Sequence, residues 1–192
     1  MYNETITNML ADLGVEPLFK SKSLDAMAVT DSKYLRDLKL NVVAMLNSNN
    51  INKRDAYLLA LSVAINEKHV ALISAFEQQA KKEGATDADI AETHACTSLM
   101  NANNVFYRFR HYLDGVEYYN NQPLGMRMNI MMNPVMGKEL FELMSLVVSA
   151  VNGWQRGVTS HEHSVKQQGA SEARIYDAIR LAAVIRSIST AL

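Results

Sequence analysis

The chain has 192 residues, 48% of them hydrophobic and 20% charged, with 19 Lys and Arg against 20 Asp and Glu. That balance describes a globular chain with a core, and a net charge near zero supplies no field to recruit nucleic acid or an anionic membrane surface. The first residues, Met1-Tyr2-Asn3-Glu4-Thr5, lack the character of a secretory leader, no run of about 18 apolar residues exists, and the single Cys96 excludes an internal disulfide, so a cytoplasmic setting is expected.

The pattern predicts helices nearly throughout, since three prolines and eight glycines leave little room for the turns of a sandwich or barrel. After an N-terminal helical extension, Ser48-Asn49-Asn50 marks a break. Leu58, Leu61 and Ile65 then lie on one face of a dense apolar run. Gly84 stops the next segment, and Thr86 is placed to cap another helix, with Asp89 three residues on as a variant capping box. Cys96 falls inside that helix among Thr93, Ala95 and Leu99, where a thiol is expected to act as a small buried hydrophobe. Breaks follow from Gly115 to Gly125 and at Asn133-Pro134. Leu143, Leu146, Val147, Ala150 and Val151 recur at helical spacing up to a break at Asn152-Gly153. Ser171 is an expected N-cap for the helix that carries Ile175, Ile179, Ala182 and Ala183.

The chain repeats itself. Ala64-Ile65-Asn66 matches Ala150-Val151-Asn152, and the blocks starting at Gly84 and Gly169 share Gly, Ala, a hydroxyl cap, an acid, Ala and Ile in order. The expected organisation is one all-α domain over 1–192, with two related helical units at roughly 50–110 and 135–192 behind the N-terminal extension. Each unit alone would be too small for an independent core.

Several motifs carry a resemblance. Asn103-Asn104-Val105-Phe106-Tyr107-Arg108, Leu124-Gly125-Met126-Arg127-Met128-Asn129-Ile130, Asn133-Pro134, Phe141-Glu142-Leu143, Val148-Ser149-Ala150-Val151-Asn152-Gly153 and His161-Glu162-His163 follow one another in order and spacing. Over roughly residues 90–192 they are similar to the alkylhydroperoxidase D branch of the carboxymuconolactone decarboxylase-like superfamily. The resemblance implies a two-repeat all-helical fold, a homo-oligomer (a trimer), antioxidant hydroperoxide reduction, and peroxiredoxin or lipoyl-type redox partners.

The active site of that family is a Cys-x-x-Cys pair directly after Asn-Gly. Trp154 and Gly157 stand at those two positions here, and Arg156 stands where the family has a histidine between the cysteines. Glu142, twelve residues before Trp154, and His161, four after Gly157, match the family's proton-relay positions. Thiol-dependent peroxide reduction needs an attacking thiolate and a resolving thiol, and neither Trp154 nor Gly157 supplies a sulfur. Glu142 needs a partner if it faces a pocket, and His161 or Arg156 could provide it. Arg156 is either a surface charge or a cation that docks a substrate carboxylate. Trp154 is expected to fill the volume of the absent dithiol. His161 and His163 do not share a helix face, so no metal is expected there, and no cofactor motif appears. Met126, Met128, Met131, Met132 and Met136 are expected to serve packing or a shared subunit surface.

Three functions compete, of which the first is the expected family identity and the other two are alternatives. The chain could be a divergent alkylhydroperoxidase-like protein in which the dithiol cycle is doubtful. It could be a cofactor-free acid–base enzyme, like the decarboxylase arm, in which Glu142 and His161 move protons and Arg156 holds a small organic acid. Or it could be a non-catalytic partner of a redox system. An open polar pocket favours the acid–base enzyme, and a pocket plugged by Trp154 favours the partner.

Overall fold

A computed structural model describes residues 2–192, and among these the protein is all-α, with no strand. The helices are α1 Glu4–Leu13, α2 Lys22–Val29, α3 Lys33–Leu46, α4 Lys53–Asn66, α5 Val70–Lys82, α6 Asp87–Tyr112, α7 Glu117–Asn121, α8 Lys138–Val151, α9 Gln155–Gln167 and α10 Glu172–Ala191. A 3₁₀ turn at Asn129–Met131 leads into α8. None of these helices is long and apolar enough to cross a membrane. The break expected between Gly115 and Gly125 contains the five-residue α7, which buries none of its residues. It is therefore invisible to any reading based on apolar periodicity.

Two helices form the centre. Residues Asp55 to Ala64 of α4 are buried all the way round, as are Leu143 to Ser149 of α8. A helix that is apolar around its whole circumference belongs in a core rather than on a surface. α5 and α9 each pack on the helix that precedes them, α6 and α10 each touch both α4 and α8, and α3 closes the bundle against α10. The one-faced pattern of Leu58 and Leu61 thus understates how deeply α4 is buried.

The local signals act as their chemistry dictates. Thr86 accepts from the Asp89 amide while the Asp89 carboxylate accepts from the Thr86 amide, a complete capping box. Ser171 caps α10 through the Arg174 amide. Gly84 and Gly169 both take the positive φ that lets the chain leave a helix and enter a cap. The residue three places after each cap forms an ion pair with the start of a central helix, Asp89 with α4 and Arg174 with α8, and the polarity is inverted between the two. Asp89 pairs with Arg54 at 2.6 Å, and Arg174 pairs with Glu139 at 2.7 Å. Asp55 joins the two pairs, meeting Arg54 at 2.9 Å and Arg174 at 2.7 Å.

At the other end of the central helices, three asparagines form a ring. Asn66 Nδ2 donates to Asn152 Oδ1 (3.0 Å), Asn152 Nδ2 to Asn101 Oδ1 (3.4 Å), and Asn101 Nδ2 to Asn66 Oδ1 (2.9 Å). Each amide has one donor and one acceptor engaged. The ring fastens the ends of α4 and α8 to α6 just before the chain turns into the site.

Candidate functional site

The site lies where α8 hands over to α9. Gly153 takes φ 66°, a left-handed turn open to glycine without strain. The turn sets Trp154 as the N-cap of α9, and Gly157 follows in the first turn of that helix. Trp154 is 6% exposed. A Cβ at position 157 would lie 2.3 Å from Trp154 Cδ1 and 3.0 Å from Ser149 Oγ. The indole therefore occupies the space that a side chain on residue 157 would need. The two residues at the family's cysteine positions fit each other as a pair, a bulky ring over an empty position. Behind the ring, the Trp154 and His111 ring centroids are 5.5 Å apart, and the Arg108 guanidinium sits 6.0 Å from the indole centroid.

Trp154 does not close the site. Beside it opens a cavity of about 490 Å³, walled by Asn103, Asn104, Tyr107, Arg110 and His111 of α6, by Met128 and Met131, and by Arg156, Gly157, Ser160 and His161 of α9. This volume suits a small organic ligand. His161 and Glu142 meet directly at its edge, Nδ1 to Oε2 at 2.7 Å, with both side chains mostly buried. His161 thus supplies the partner that a half-buried carboxylate requires. The bond uses Nδ1 and leaves Nε2 as the ring nitrogen available to the cavity. Glu142 itself faces a second cavity of about 220 Å³, lined also by Lys138, Ser164, Gln167 and Gln168, with Met131 shared between the two. The Glu142–His161 pair thus contributes one residue to the lining of each cavity.

Arg156 does not reach Glu142. It is exposed at the mouth of the cavity, with Asp114 as a loose partner at 3.9 Å. Arg110, also in the wall, donates to the Gln122 carbonyl and lies over the Phe106 ring, and Arg108 donates to the Asn152 carbonyl; neither pairs with a carboxylate among the described residues. By contrast, Arg54, Arg174, Arg180 and Arg186 all hold close carboxylates. Arg108, Arg110 and Arg156 thus stand around this cavity against Asp114 in its lining and Glu142 at its edge, a small local excess of positive charge in a chain whose net charge is −1.

Cys96 lies away from the cavity lining, fully buried, with Sγ 3.6 Å from Ser145 Oγ. Burial pushes its thiol up to about 12, the opposite of what an attacking cysteine needs. His163 is exposed and bonded to Gln167, on a different face from His161. The methionine-rich stretch divides: Met136 is buried, Met128 and Met131 line the cavity, and Met126 and Met132 are exposed. Sequence reasoning passed over Asn103, Tyr107, Arg110 and His111 as site residues. Their signal was a set of polar and aromatic positions at spacings of three, four and eight along one helix, which only the partner α9 turns into a wall.

Residues 119–192 match the carboxymuconolactone decarboxylase family. The chain is 36% identical to the alkyl hydroperoxide reductase AhpD of Anaeromyxobacter dehalogenans (strain 2CP-C), over 88% of this chain and 90% of the relative. It is 35% identical to the AhpD of Streptomyces avermitilis, over 88% of this chain and 95% of the relative. In fold it is similar to a crystal structure from Burkholderia xenovorans LB400 assigned as a gamma-carboxymuconolactone decarboxylase subunit. That likeness has a TM-score of 0.73 and covers 100% of this chain and 94% of the other, at 12% identity, so it speaks to fold alone.

Proposed function

Since the chain belongs to the alkyl hydroperoxide reductase AhpD family, we propose that it keeps that family's proton-handling pair and uses it without the dithiol, as a cofactor-free acid–base site for a small organic acid. The observation that carries this reading is the 2.7 Å Glu142–His161 bond at the edge of an open cavity of about 490 Å³. In this reading His161 Nε2 removes a proton from an acidic C–H of the ligand. Glu142 holds the ring through Nδ1 and stabilises the imidazolium that forms. Arg110 and Arg156 attract the ligand's carboxylate, and the local excess of positive charge supports that role.

A hydroperoxide cycle finds no thiol in the cavity lining, and Cys96 is buried with a thiol that does not ionise near neutrality. The reading therefore routes no electrons through a peroxiredoxin or lipoyl-type partner. We infer further that the protein acts in the cytoplasm as a homo-oligomer, a trimer. Support for assembly comes from Val105, Phe109, Tyr112, Tyr118, Met132 and Val135, large apolar side chains exposed within one stretch of chain.

The test is hydrogen exchange. A panel of small oxo acids in deuterated water, followed by proton NMR, should show catalysed loss of the signal next to the carbonyl. Glu142→Gln and His161→Phe should each slow it by about 10²-fold or more. Saturable, dithiol-dependent hydroperoxide turnover by the wild type that persists in Cys96→Ser would overturn the reading.

A further inference from the structure

A proton taken from a carbon beside a carbonyl leaves its electron pair behind, and the charge gathers on the carbonyl oxygen. Glu142 and His161 handle the proton, and neither serves that oxygen. The lining of the larger cavity holds a second imidazole. His111 stands one residue before the end of α6, half-buried, and lines the cavity together with His161 of α9. Its ring packs against Trp154, with centroids 5.5 Å apart and planes inclined at 57°.

The two nitrogens of His111 differ. Nδ1 is buried and has no hydrogen-bond partner among the described residues. Nε2 makes no hydrogen bond within the chain either, but it is not among the buried unpaired atoms, which leaves it as the accessible end of the ring. A neutral imidazole carries one N–H. On Nδ1 that proton would make a buried donor with nothing to receive it, the rarer kind of orphan in folded proteins. On Nε2 it leaves only a bare lone pair inside and places the N–H at the accessible end. His161 is set the other way. Its Nδ1 lies 2.7 Å from Glu142 Oε2, so the carboxylate holds the proton there and Nε2 keeps the lone pair. The two rings thus offer one cavity opposite functions, an acceptor from α9 and a donor from α6.

We propose that His111 is a second catalytic residue of this site, an Nε2–H donor that holds the carbonyl oxygen of the ligand while His161 takes the proton from the neighbouring carbon. His161 Nε2 accepts the proton, the C–H electron pair becomes a carbon–carbon π bond, and the carbonyl π pair moves onto oxygen, where the His111 hydrogen bond meets it. Return of a proton from the imidazolium to carbon reverses each shift, and nothing is oxidised. This role rests on the acid–base reading of the cavity and narrows the ligand to an acid with a carbonyl beside the acidic carbon.

Trp154 is the only tryptophan in the chain and lines the cavity, so its emission reports occupancy. The probe is pyruvate, isotope-labelled at its carbonyl carbon. Bound to the whole protein, that carbon should move downfield in the carbon NMR spectrum, the mark of a carbonyl polarised by a donor. His111→Phe keeps a ring against Trp154 and removes both nitrogens. In this variant the downfield shift should vanish, and hydrogen exchange of pyruvate in deuterated water should fall by about 10²-fold, the usual worth of one donor to a developing oxyanion. Binding should weaken by no more than about tenfold, the worth of one neutral hydrogen bond. A residue that only props the cavity would lower both alike. His111→Gln, whose amide keeps an N–H, should retain part of the shift and of the rate. Should His111→Phe fail to fold, the wild-type shift still decides. No downfield shift in the saturated wild type, no saturation with pyruvate, a shift that survives in His111→Phe, or exchange that falls no further than binding overturns the role of His111. A shift that depends on His111 without catalysed exchange leaves the donor standing and removes His161 as the base; exchange that needs His161 and ignores His111 removes the donor alone.

Discussion

Trp154 and Gly157 are each costly alone and cheap together. Glycine in a helix is about 1 kcal/mol less favourable than alanine, yet a Cβ at 157 would meet the indole at 2.3 Å. Gly157→Ala is therefore expected to destabilise the wild type, while Trp154→Ala opens a void at a cost of about 3–5 kcal/mol. In the Trp154→Ala background the sign at 157 should reverse, and Gly157→Ala should become neutral or stabilising. Urea denaturation of the four proteins in a double-mutant cycle checks this, and additive effects would contradict it. The same geometry means that a dithiol can return only by changing both positions at once. Cys96 offers a second residue-scale expectation. An unfolded thiol ionises near about 8.5, and burial lifts the folded one to about 12. Its contribution to stability is thus present in full below about pH 8.5 and is lost as pH rises through the folded value. At pH 8 an alkylating reagent should leave the folded protein unmodified and label it on denaturation. Fast labelling of the native state would show the thiol to be exposed.

The elements were legible where the code is local and illegible where it is tertiary. Thr86, Ser171, Gly84 and Gly169 announce helix ends through chemistry within a few residues of themselves, and the structure places caps and turns at all four. α6 was readable as a helix, but its polar wall was not, because Asn103 and His111 come to line one cavity with Trp154 only in the folded chain. The Glu142–His161 contact was reachable only through resemblance, since nothing in nineteen residues of separation forces the two together. The ion-pair chain at the start of α4 was equally hidden. Asp55 is almost fully covered and serves Arg54 and Arg174 together, joining α4 to α10. Asp55→Ala takes one of two carboxylate partners from both Arg54 and Arg174, which keep Asp89 and Glu139, and a loss of about 1.5–3 kcal/mol is expected in chemical denaturation. A loss below about 1 kcal/mol would place the pair with ordinary surface bridges.

For the whole molecule, the all-α family fold follows from relatives that span most of the chain. We read residues 1–192 as one domain built from two related units, with α4 and α8 as the paired central helices. The apolar side chains left exposed between residues 105 and 135, with Met132 73% and Val135 66% exposed, are too concentrated for scattered surface positions. Closed symmetric assembly would cover them. Sedimentation at micromolar concentration should give a trimer, and Met132→Glu with Val135→Glu should shift it to monomer. A monomeric wild type would refute the assembly.

The asparagine ring also bears on how the molecule ages. Asn152 precedes Gly153, the sequence context in which an asparagine amide is most readily attacked by the following backbone nitrogen and lost as ammonia. That attack requires the side chain to swing free, and here both ends of the Asn152 amide are engaged, by Asn66 and Asn101. The ring is therefore a chemical guard as well as a fastening. Once breached, it cannot reform as before, because an aspartate at 152 can accept but not donate. The turn that presents Trp154 would then carry a new negative charge beside Arg108. A breach of the guard would therefore be felt at the hinge of the protein's own site.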